Sequence, residues 1–132
     1  MAMLAPTSVW AMNAFERGIE IEQRLGGYMG NFPTIDKFIN GVATSIKSID
    51  LMAKSYQNTN TLTNTIQGYV NTLASFQGAQ WGRFNIAANE ITSRVLQLAI
   101  PPGASQAQLN AIEQLKQWAL TQGVEISITI IK

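Results

Sequence analysis

The dipeptide Asn40-Gly41 is the feature of the sequence that most constrains its fold. It separates two β-prone segments, residues 34–39 and 42–52. Asn-Gly in this setting is the strongest short-range signal for a β-hairpin, because both residues accept the positive φ angles of a type I′ turn. With these two residues as the loop, Ile39 faces Val42. We therefore predict a hairpin over residues 34–52 whose register is set by the turn.

This register brings three polar side chains to one side of the hairpin. Counting back from the turn places Asp36 opposite Ser45 and Thr34 opposite Lys47. Side chains two residues apart on a strand share a face, so Asp36, Ser45 and Lys47 project together. A carboxylate that holds a cation beside a lysine that orients water suits phosphodiester hydrolysis. A solvated hairpin face without a site explains the pattern equally well, and a slip of one residue moves Asp36 to the opposite face.

The composition narrows the chemistry that an enzyme of this kind can use. The chain has 132 residues and contains no histidine and no cysteine. This excludes Cys/His zinc sites, histidine general bases, serine–histidine triads, cysteine nucleophiles and disulfides. Catalysis would rely on carboxylates, Lys, Arg, Tyr, Ser or Thr, with a hard cation bound through oxygen. The net charge of +1 provides no global field that attracts nucleic acid.

Carboxylates are scarce and concentrated near the N-terminus. Charged residues form 13% of the chain, against about 25% in an average domain. Five of the eight acids lie between residues 16 and 50, so carboxylate chemistry is expected in the N-terminal third. The acids are Glu16, Glu20, Glu22, Asp36, Asp50, Glu90, Glu113 and Glu125.

A helix is predicted before the hairpin. Thr7 or Ser8 can cap it, and Gly26-Gly27 ends it after about Leu25. Glu22 lies near the apolar edge of this helix. A partly buried glutamate is costly unless it is paired or binds a metal, so Glu22 is a candidate ligand. An exposed Glu22 paired with a neighbouring arginine explains its position equally well.

Alternating helix and strand patterns follow the hairpin. Residues 61–76 carry an apolar stripe at helical spacing, and residues 94–100 form a strand that ends at Pro101-Pro102. Ser105 and Gln108 form a capping box for a helix that ends at Gly123, and residues 124–131 form a last strand. The strand–helix–strand end implies a parallel crossover. The predicted fold is α/β (α+β): a mixed sheet in which a hairpin precedes the crossover, flanked by helices.

A loop is predicted over residues 77–85. It contains the aromatic residue Trp81 and the cationic residue Arg83, which can stack on an unpaired base. Alternatively, the loop can cover the core as a lid. Lys54 and Arg94 are further candidate contacts to nucleic acid. No run of 18 apolar residues exists, so no stable insertion into a membrane is expected. Residues 1–9 are predicted to be a start or linker, and residues 10–132 a single domain.

Three segments carry a resemblance to a known family: residues 15–27 (FERGIEIEQRLGG), 31–38 (NFPTIDKF) and 41–51 (GVATSIKSIDL). Together with the ending at residues 100–104 and 122–126, they resemble the C-terminal toxin domains of contact-dependent growth inhibition and filamentous-haemagglutinin-like proteins. The order of elements likewise resembles the core of the restriction-endonuclease-like, PD-(D/E)XK nucleases. The resemblance extends from about Trp10 onward.

The resemblance implies a toxin that cleaves RNA, specifically transfer RNA, in the cytoplasm of a neighbouring bacterium. It implies delivery as part of a larger secreted or cell-surface protein, and a cognate immunity protein that neutralises the toxin. Asp36 matches the motif aspartate, Lys47 the motif lysine, and Glu22 the glutamate that some members supply from the first helix. Ser45 stands where many of these nucleases have Asp or Glu, which weakens the expected metal site.

The expected chemistry is metal-assisted phosphodiester hydrolysis. Glu22 and Asp36 would hold a divalent cation, Mg²⁺ or Mn²⁺ by ligand type. Lys47 would position the attacking water, and Ser45 would order the water shell of the cation. Two alternatives stay open: a DNase on the same scaffold, and a non-catalytic domain that docks a partner through the hairpin edge or the segment around Trp81.

Overall fold

The structure is a computed structural model that describes residues 8–132. The candidate cap Thr7 and most of the predicted linker over residues 1–9 lie outside the described residues. The strands are β1 (Lys37–Ile39), β2 (Val42–Ser48), β3 (Gly78–Trp81), β4 (Phe84–Ala87), β5 (Ser93–Ile100) and β6 (Val124–Ile130). The α-helices are α1 (Ala14–Arg24), α2 (Thr59–Ala74) and α3 (Gln106–Thr121). Short 3₁₀ helices cover Val9–Ala11, Lys54–Gln57 and Ala88–Glu90.

A four-stranded mixed sheet organises the molecule, in the order β1-β2-β5-β6. The β1 strand is antiparallel to β2, whereas β2, β5 and β6 run parallel. The parallel strands β5 and β6 are joined through α3, as the strand–helix–strand pattern predicts. The predicted fold class is therefore confirmed: a hairpin at one edge, a crossover at the other, and helices that cover the sheet.

The turn of the first hairpin is confirmed. Asn40 has φ 52° and Gly41 has φ 82°, which are the positive angles of a type I′ turn. The observed pairs are Ile39 with Val42, Phe38 with Ala43, and Lys37 with Thr44. Regular pairing stops at Lys37, whereas β2 continues to Ser48. The last part of β2 therefore has no strand beside it on this edge, which leaves room for a site.

The first helix begins later than predicted. Residues Val9–Ala11 form a separate 3₁₀ turn that Ser8 caps, and Asn13 caps α1 by accepting a hydrogen bond from the main chain of Glu16 at 2.9 Å. An asparagine cap satisfies one of the free N–H groups of the first turn. The N-terminal helical pattern therefore breaks at Met12-Asn13. Its end is as predicted, with Leu25 at the C-cap.

The predicted loop over residues 77–85 is wrong, because the structure forms a second β-hairpin there. The β3 and β4 strands pair antiparallel from Gly78–Ala87 to Trp81–Phe84. Gly82 has φ 58° at the first turn position, which suits a type II′ turn. Ile86 anchors the hairpin in the core, whereas Trp81 is 55% exposed. Trp81 consequently does not close the core as a lid.

The main core lies between the sheet and the helices α2 and α3. The α2 stripe is buried as predicted, with Leu62, Ile66, Val70 and Leu73 each at 0% exposure. On α3 the apolar residue Leu109 is 45% exposed, whereas the polar residue Gln108 is only 1% exposed. The Gln108 amide donates to the carbonyls of Leu51 and Tyr56 at 2.9 and 3.0 Å, so this buried polar group is satisfied.

A smaller apolar cluster attaches α1 to the opposite face of the sheet. Its buried members are Val9, Ile21, Ile46 and Ala99. Ile21 of α1 contacts this cluster one residue before Glu22, which positions α1 along the open edge of β2. Within residues 8–132, no helix is both long and apolar enough to cross a membrane.

Candidate active site

A cavity of about 230 Å³ lies where α1 passes the open edge of β2. It brings together three of the predicted site residues, Glu22, Asp36 and Lys47. The remaining lining comes from the same two elements: Gly18, Ile21, Ile46 and Ser48. Glu22 precedes Asp36 by 14 residues and Lys47 by 25 residues in the chain. The three side chains meet because α1 and β2 pack through the small cluster that contains Ile21 and Ile46.

An irregularity in the backbone sets the position of Asp36. In a regular ladder with this register, Asp36 is opposite Ser45 and its N–H points away from β2. The Asp36 N–H instead donates to the Thr44 carbonyl at 2.8 Å. Its carboxylate oxygen Oδ2 accepts from the Ile46 N–H at 2.6 Å. The side chain therefore takes the place of a strand partner for Ile46.

This irregularity corrects the predicted grouping of Asp36 with Ser45. Asp36 lines the cavity with Ile46 and Ser48, on the side of α1. Ser45 is 3% exposed and lines a different cavity with Thr34. Only Lys47 lines both cavities. The turn prediction was correct, but the backbone departs from regular pairing just where strand β1 begins.

The two carboxyl groups interact directly. Burial raises the pKa of Glu22 from 4.5 to about 7, and a hydrogen bond and charge repulsion from Asp36 add to this increase. Lys47 acts in the opposite direction and lowers the pKa. Glu22 therefore holds its proton more strongly than a free glutamate does, and a cation bound beside it would favour the charged form. The alternative in which Glu22 is an exposed partner of an arginine is wrong, since Arg24 pairs with Glu20 at 2.9 Å.

Lys47 reaches from the strand into solvent at the junction of the two cavities. Its ammonium nitrogen lies 5.4 Å from the centre of the Tyr69 ring, within the range of a cation–π contact. Burial raises the pKa of the Tyr69 hydroxyl, so this residue stays neutral. The ring of Tyr69 thus limits where the lysine can point.

The donor set fits a hard divalent cation. Glu22 and Asp36 offer carboxylate oxygens from two segments of the chain, and the raised pKa of Glu22 marks a place where positive charge is favourable. Within the described part of the chain, no group of three or more His, Cys, Asp or Glu side chains converges. A cation at this position would therefore complete its shell with main-chain oxygens or water, as Mg²⁺ commonly does.

The four predicted nucleic-acid contacts lie outside this cavity. Trp81 and Arg83 are exposed at the tip of the second hairpin, where the Arg83 guanidinium lies 5.1 Å from the Phe84 ring. Lys54 is exposed on a 3₁₀ helix. Arg94 has a structural contact, since it donates to the Phe76 carbonyl at 2.8 Å and its Nε is buried. The structure leaves Arg94 poorly placed to reach a ligand.

Three residues of this region were not among the predicted site residues: Gly18, Thr34 and Tyr69. Tyr69 belongs to the apolar stripe of α2. Its contact with Lys47 could not be predicted, because the two residues are distant in the sequence. Gly18 lines the carboxylate cavity from the middle of α1. Thr34 has φ 65° and lines the second cavity. Of these three residues, only Gly18 gave a signal in the sequence. A glycine inside a helix is unfavourable, so its presence indicates a packing or functional reason.

Comparison with known proteins identifies the domain. A family model described as "CDI toxin restriction endonuclease-like domain" matches residues 17–129. The chain is 28% identical over 134 residues to "Deoxyribonuclease CdiA" of Yersinia pseudotuberculosis serotype O:3 (strain YPIII), covering 93% of this chain and 12% of that protein. It is also 28% identical over 134 residues to "Deoxyribonuclease CdiA-o11" of Escherichia coli O157:H7 (strain EC869), covering 93% of this chain and 35% of that protein.

A solved structure has the same fold. The "CdiA-CT/CdiI toxin and immunity complex from Yersinia pseudotuberculosis" contains a chain that superposes with a TM-score of 0.72 at 24% identity. The match covers 85% of this chain and 98% of that chain. The family model spans most of the sequence and agrees with the observed sheet and helices. The chain therefore belongs to the family of CDI toxin restriction endonuclease-like domains.

Proposed function

We propose that this domain is a metal-dependent endonuclease that cleaves DNA in the cytoplasm of a target bacterium. The observation that carries the proposal is the meeting of Glu22, Asp36 and Lys47 in one cavity. The names of both relatives, deoxyribonucleases, favour DNA as the substrate. Cleavage of transfer RNA, which the sequence resemblance predicts, stays a prediction and is the second substrate to test.

Asp36 and Glu22 would hold Mg²⁺ or Mn²⁺. When bound, such an ion supplies Lewis-acid polarisation of a phosphate oxygen and lowers the pKa of coordinated water. The Ile46 N–H keeps the Asp36 carboxylate oriented through its 2.6 Å hydrogen bond. Glu22 releases its proton when it becomes a ligand, since a ligating carboxylate is deprotonated.

Lys47 supplies the positive charge next to the carboxylates. Its flexible side chain carries three donors, which can hold the attacking water or stabilise the charge that develops on the phosphate. The Tyr69 ring keeps the ammonium group near the cavity mouth. Lys47 therefore acts on the substrate, whereas Glu22 and Asp36 act through the cation.

Cleavage assays with purified protein test this assignment. Plasmid DNA and bacterial transfer RNA are incubated separately with Mg²⁺, Mn²⁺ or chelator. Asp36→Asn keeps an oxygen that can accept from Ile46, and we expect it to fold normally but to lose at least about a hundredfold in rate. Lys47→Met is expected to lose a similar factor. Circular dichroism verifies that each variant folds.

Two exposed residues of α3 provide matched controls. Glu113 and Lys116 form a 3.9 Å ion pair and do not line the carboxylate cavity. Glu113→Gln and Lys116→Met therefore remove one negative and one positive charge away from the proposed site. These variants are expected to cleave at the wild-type rate. Wild-type cleavage by folded Asp36→Asn would rule out the proposed site. Cleavage of transfer RNA with intact plasmid would change the assigned substrate but keep the site.

We also propose that the domain is delivered as part of a longer protein and is neutralised by a cognate immunity protein. The chain spans 12% and 35% of the lengths of its two relatives, and its structural neighbour was solved as a toxin and immunity complex. Expression of the domain inside a bacterium is expected to stop growth, and co-expression of the immunity protein to restore it. Asp36→Asn should be harmless in both cases.

A further inference from the structure

A second cavity lies on the other side of Lys47 from the carboxylates. Its volume is about 350 Å³. Four of its lining side chains carry a hydroxyl, one carries an ammonium group, and none carries a carboxylate. The charge of its lining is therefore opposite to that of the cavity beside it. The lining residues are Thr34, Ser45, Lys47, Tyr69 and Thr72.

Thr34 is held in a strained conformation at this cavity. Its φ of 65° lies in the left-handed region, where a β-branched residue is a genuine outlier. The next N–H, of Ile35, donates to the Pro33 carbonyl at 2.7 Å, and Ile35 is fully buried. Thr34 is thus the central residue of a three-residue γ-turn that leads into the buried Ile35. Strain of this kind concentrates at functional sites.

The hydroxyl groups of this cavity differ in how they are used. The Thr72 hydroxyl donates to the Gly68 carbonyl at 3.0 Å. Among the described residues, the hydroxyls of Thr34, Ser45 and Tyr69 make no side-chain hydrogen bond. None of these three oxygens is both buried and unpaired. Three hydroxyls thus stay available to a ligand that enters beside Lys47.

We propose that this second cavity is a subsite for a phosphate group of the nucleic-acid strand, adjacent to the phosphate that is cleaved. The proposal rests on the proposed nuclease function. A phosphate is an anion with several acceptor oxygens, which matches one ammonium group and a set of hydroxyl donors without a competing carboxylate. Lys47 lines both cavities, so it contacts the strand where it passes from the subsite to the carboxylates.

Substitutions of Thr34 test the subsite through kinetics. Thr34→Val keeps the shape and removes the hydroxyl, so KM for DNA should rise about tenfold, the loss of one hydrogen bond to a charged group. Thr34→Ser keeps the hydroxyl and should retain the wild-type KM. Thr34→Gly should also raise KM but melt at a higher temperature, because glycine relieves the strained φ. Thr63→Val, on α2 facing α3, is the control and should change neither value.

Titration with 5′-deoxythymidine monophosphate separates this proposal from the nuclease function. Amide NMR shifts are followed in chelator at matched ionic strength. We expect them at Thr34, Ser45 and Lys47 in the wild type and weaker binding in Thr34→Val. Shifts at these residues in a protein that cleaves no nucleic acid would support the subsite and reject the nuclease. Absent shifts, or an unchanged KM for Thr34→Val in an active enzyme, would overturn the subsite.

Discussion

At the scale of single residues, the carboxyl groups of Glu22 and Asp36 set the electrostatics of the proposed metal site. Glu22 has a pKa near 7 because burial and Asp36 both disfavour its charge. A divalent cation at the proposed site would favour the charged form of Glu22. If the domain binds a metal as proposed, the unfavourable electrostatic energy of the charged Glu22 would be relieved on binding.

The stability of the metal-free domain should depend on the protonation of Glu22. Its pKa is raised in the folded state, so its contribution is complete below about pH 4.5 and is lost as the pH rises through about 7. Glu22→Gln removes this dependence, although Asp36 and Lys47 still face the position. In chelator, the variant should gain in melting temperature relative to the wild type between about pH 5 and pH 8.

Addition of Mg²⁺ should reverse this difference in melting temperature between Glu22→Gln and the wild type. The wild type should gain melting temperature on addition of Mg²⁺ at about pH 8, whereas Glu22→Gln should gain less. The apparent affinity for the ion should fall as the pH drops below about 7, since binding then releases a proton. Thermal unfolding at several pH values measures both effects. Parallel curves for the two proteins would contradict the raised pKa.

Gln108 shows how one buried polar residue connects several segments. Its amide oxygen accepts from the Ser105 N–H at 3.0 Å, and its amide nitrogen donates to Leu51 and Tyr56. Gln108→Leu would leave two carbonyls without this donor. We expect the free energy of unfolding to fall by about 1–3 kcal/mol. Urea denaturation measures the change, and Gln106→Leu, at an exposed position of the same first turn, should cost much less.

At the scale of elements, α1 is the part of the fold that brings Glu22 to the strand edge. A Cβ atom on Gly18 would meet no atom within 4 Å, so no contact inside the protein requires a glycine there. The same is true of Gly68 in α2. Glycine in the middle of a helix is unfavourable by about 0.5–1 kcal/mol relative to alanine. Only Gly18 lines the carboxylate cavity.

A matched pair of substitutions follows from these two glycines. Gly18→Ala and Gly68→Ala should each raise the free energy of unfolding by about 0.5–1 kcal/mol, because each helix gains propensity without a clash. Gly18→Ala should also slow cleavage if the substrate approaches α1 across the open space. Gly68→Ala should leave the rate unchanged. A stability loss in Gly18→Ala, measured in urea, would contradict the open environment.

At the scale of the whole molecule, the two hydrophobic cores have different structural roles. The large core between the sheet and the α2–α3 layer holds the fold, whereas the small cluster on the other face holds α1 against β2. The cavity with Glu22 and Asp36 lies where α1 passes β2. The alignment of the two carboxyl groups consequently depends on the small cluster more than on the large core.

Truncation of one isoleucine in each core separates these two roles. Ile21 is 1% exposed in the small cluster and Ile112 is 4% exposed in the large core, so alanine at either position should cost about 2–5 kcal/mol of stability. Below the unfolding temperature, Ile21→Ala should weaken Mg²⁺ binding and slow cleavage, and Ile112→Ala should do neither. Titration calorimetry measures Mg²⁺ binding, and cleavage assays measure the rate. Equal effects of Ile21→Ala and Ile112→Ala on binding and rate would contradict the separate roles of the two cores.

Several elements of the fold follow directly from local sequence. The Asn40-Gly41 turn, the capping box at Ser105 and Gln108, and the stripe of α2 each depend on neighbouring residues, so they could be predicted. The hairpin over Gly78–Ala87 was missed because its strands are only four residues each and their apolar pattern is weak. Short strands gain their stability from packing, here through Ile86, rather than from propensity.

The sequence by itself determined the Asn40-Gly41 turn and the order of the α-helices and of the strands in the main sheet. It also determined the absence of histidine and cysteine chemistry and the candidates Glu22, Asp36 and Lys47. Tertiary structure decided which of them meet. The irregular pairing at Asp36 turned its carboxylate towards α1 and away from Ser45. The packing of Ile21 on Ile46 placed Glu22 in the same cavity as Asp36 and Lys47. Both outcomes depend on contacts between distant segments, whose geometry is set by packing and hydrogen bonds that no local pattern encodes.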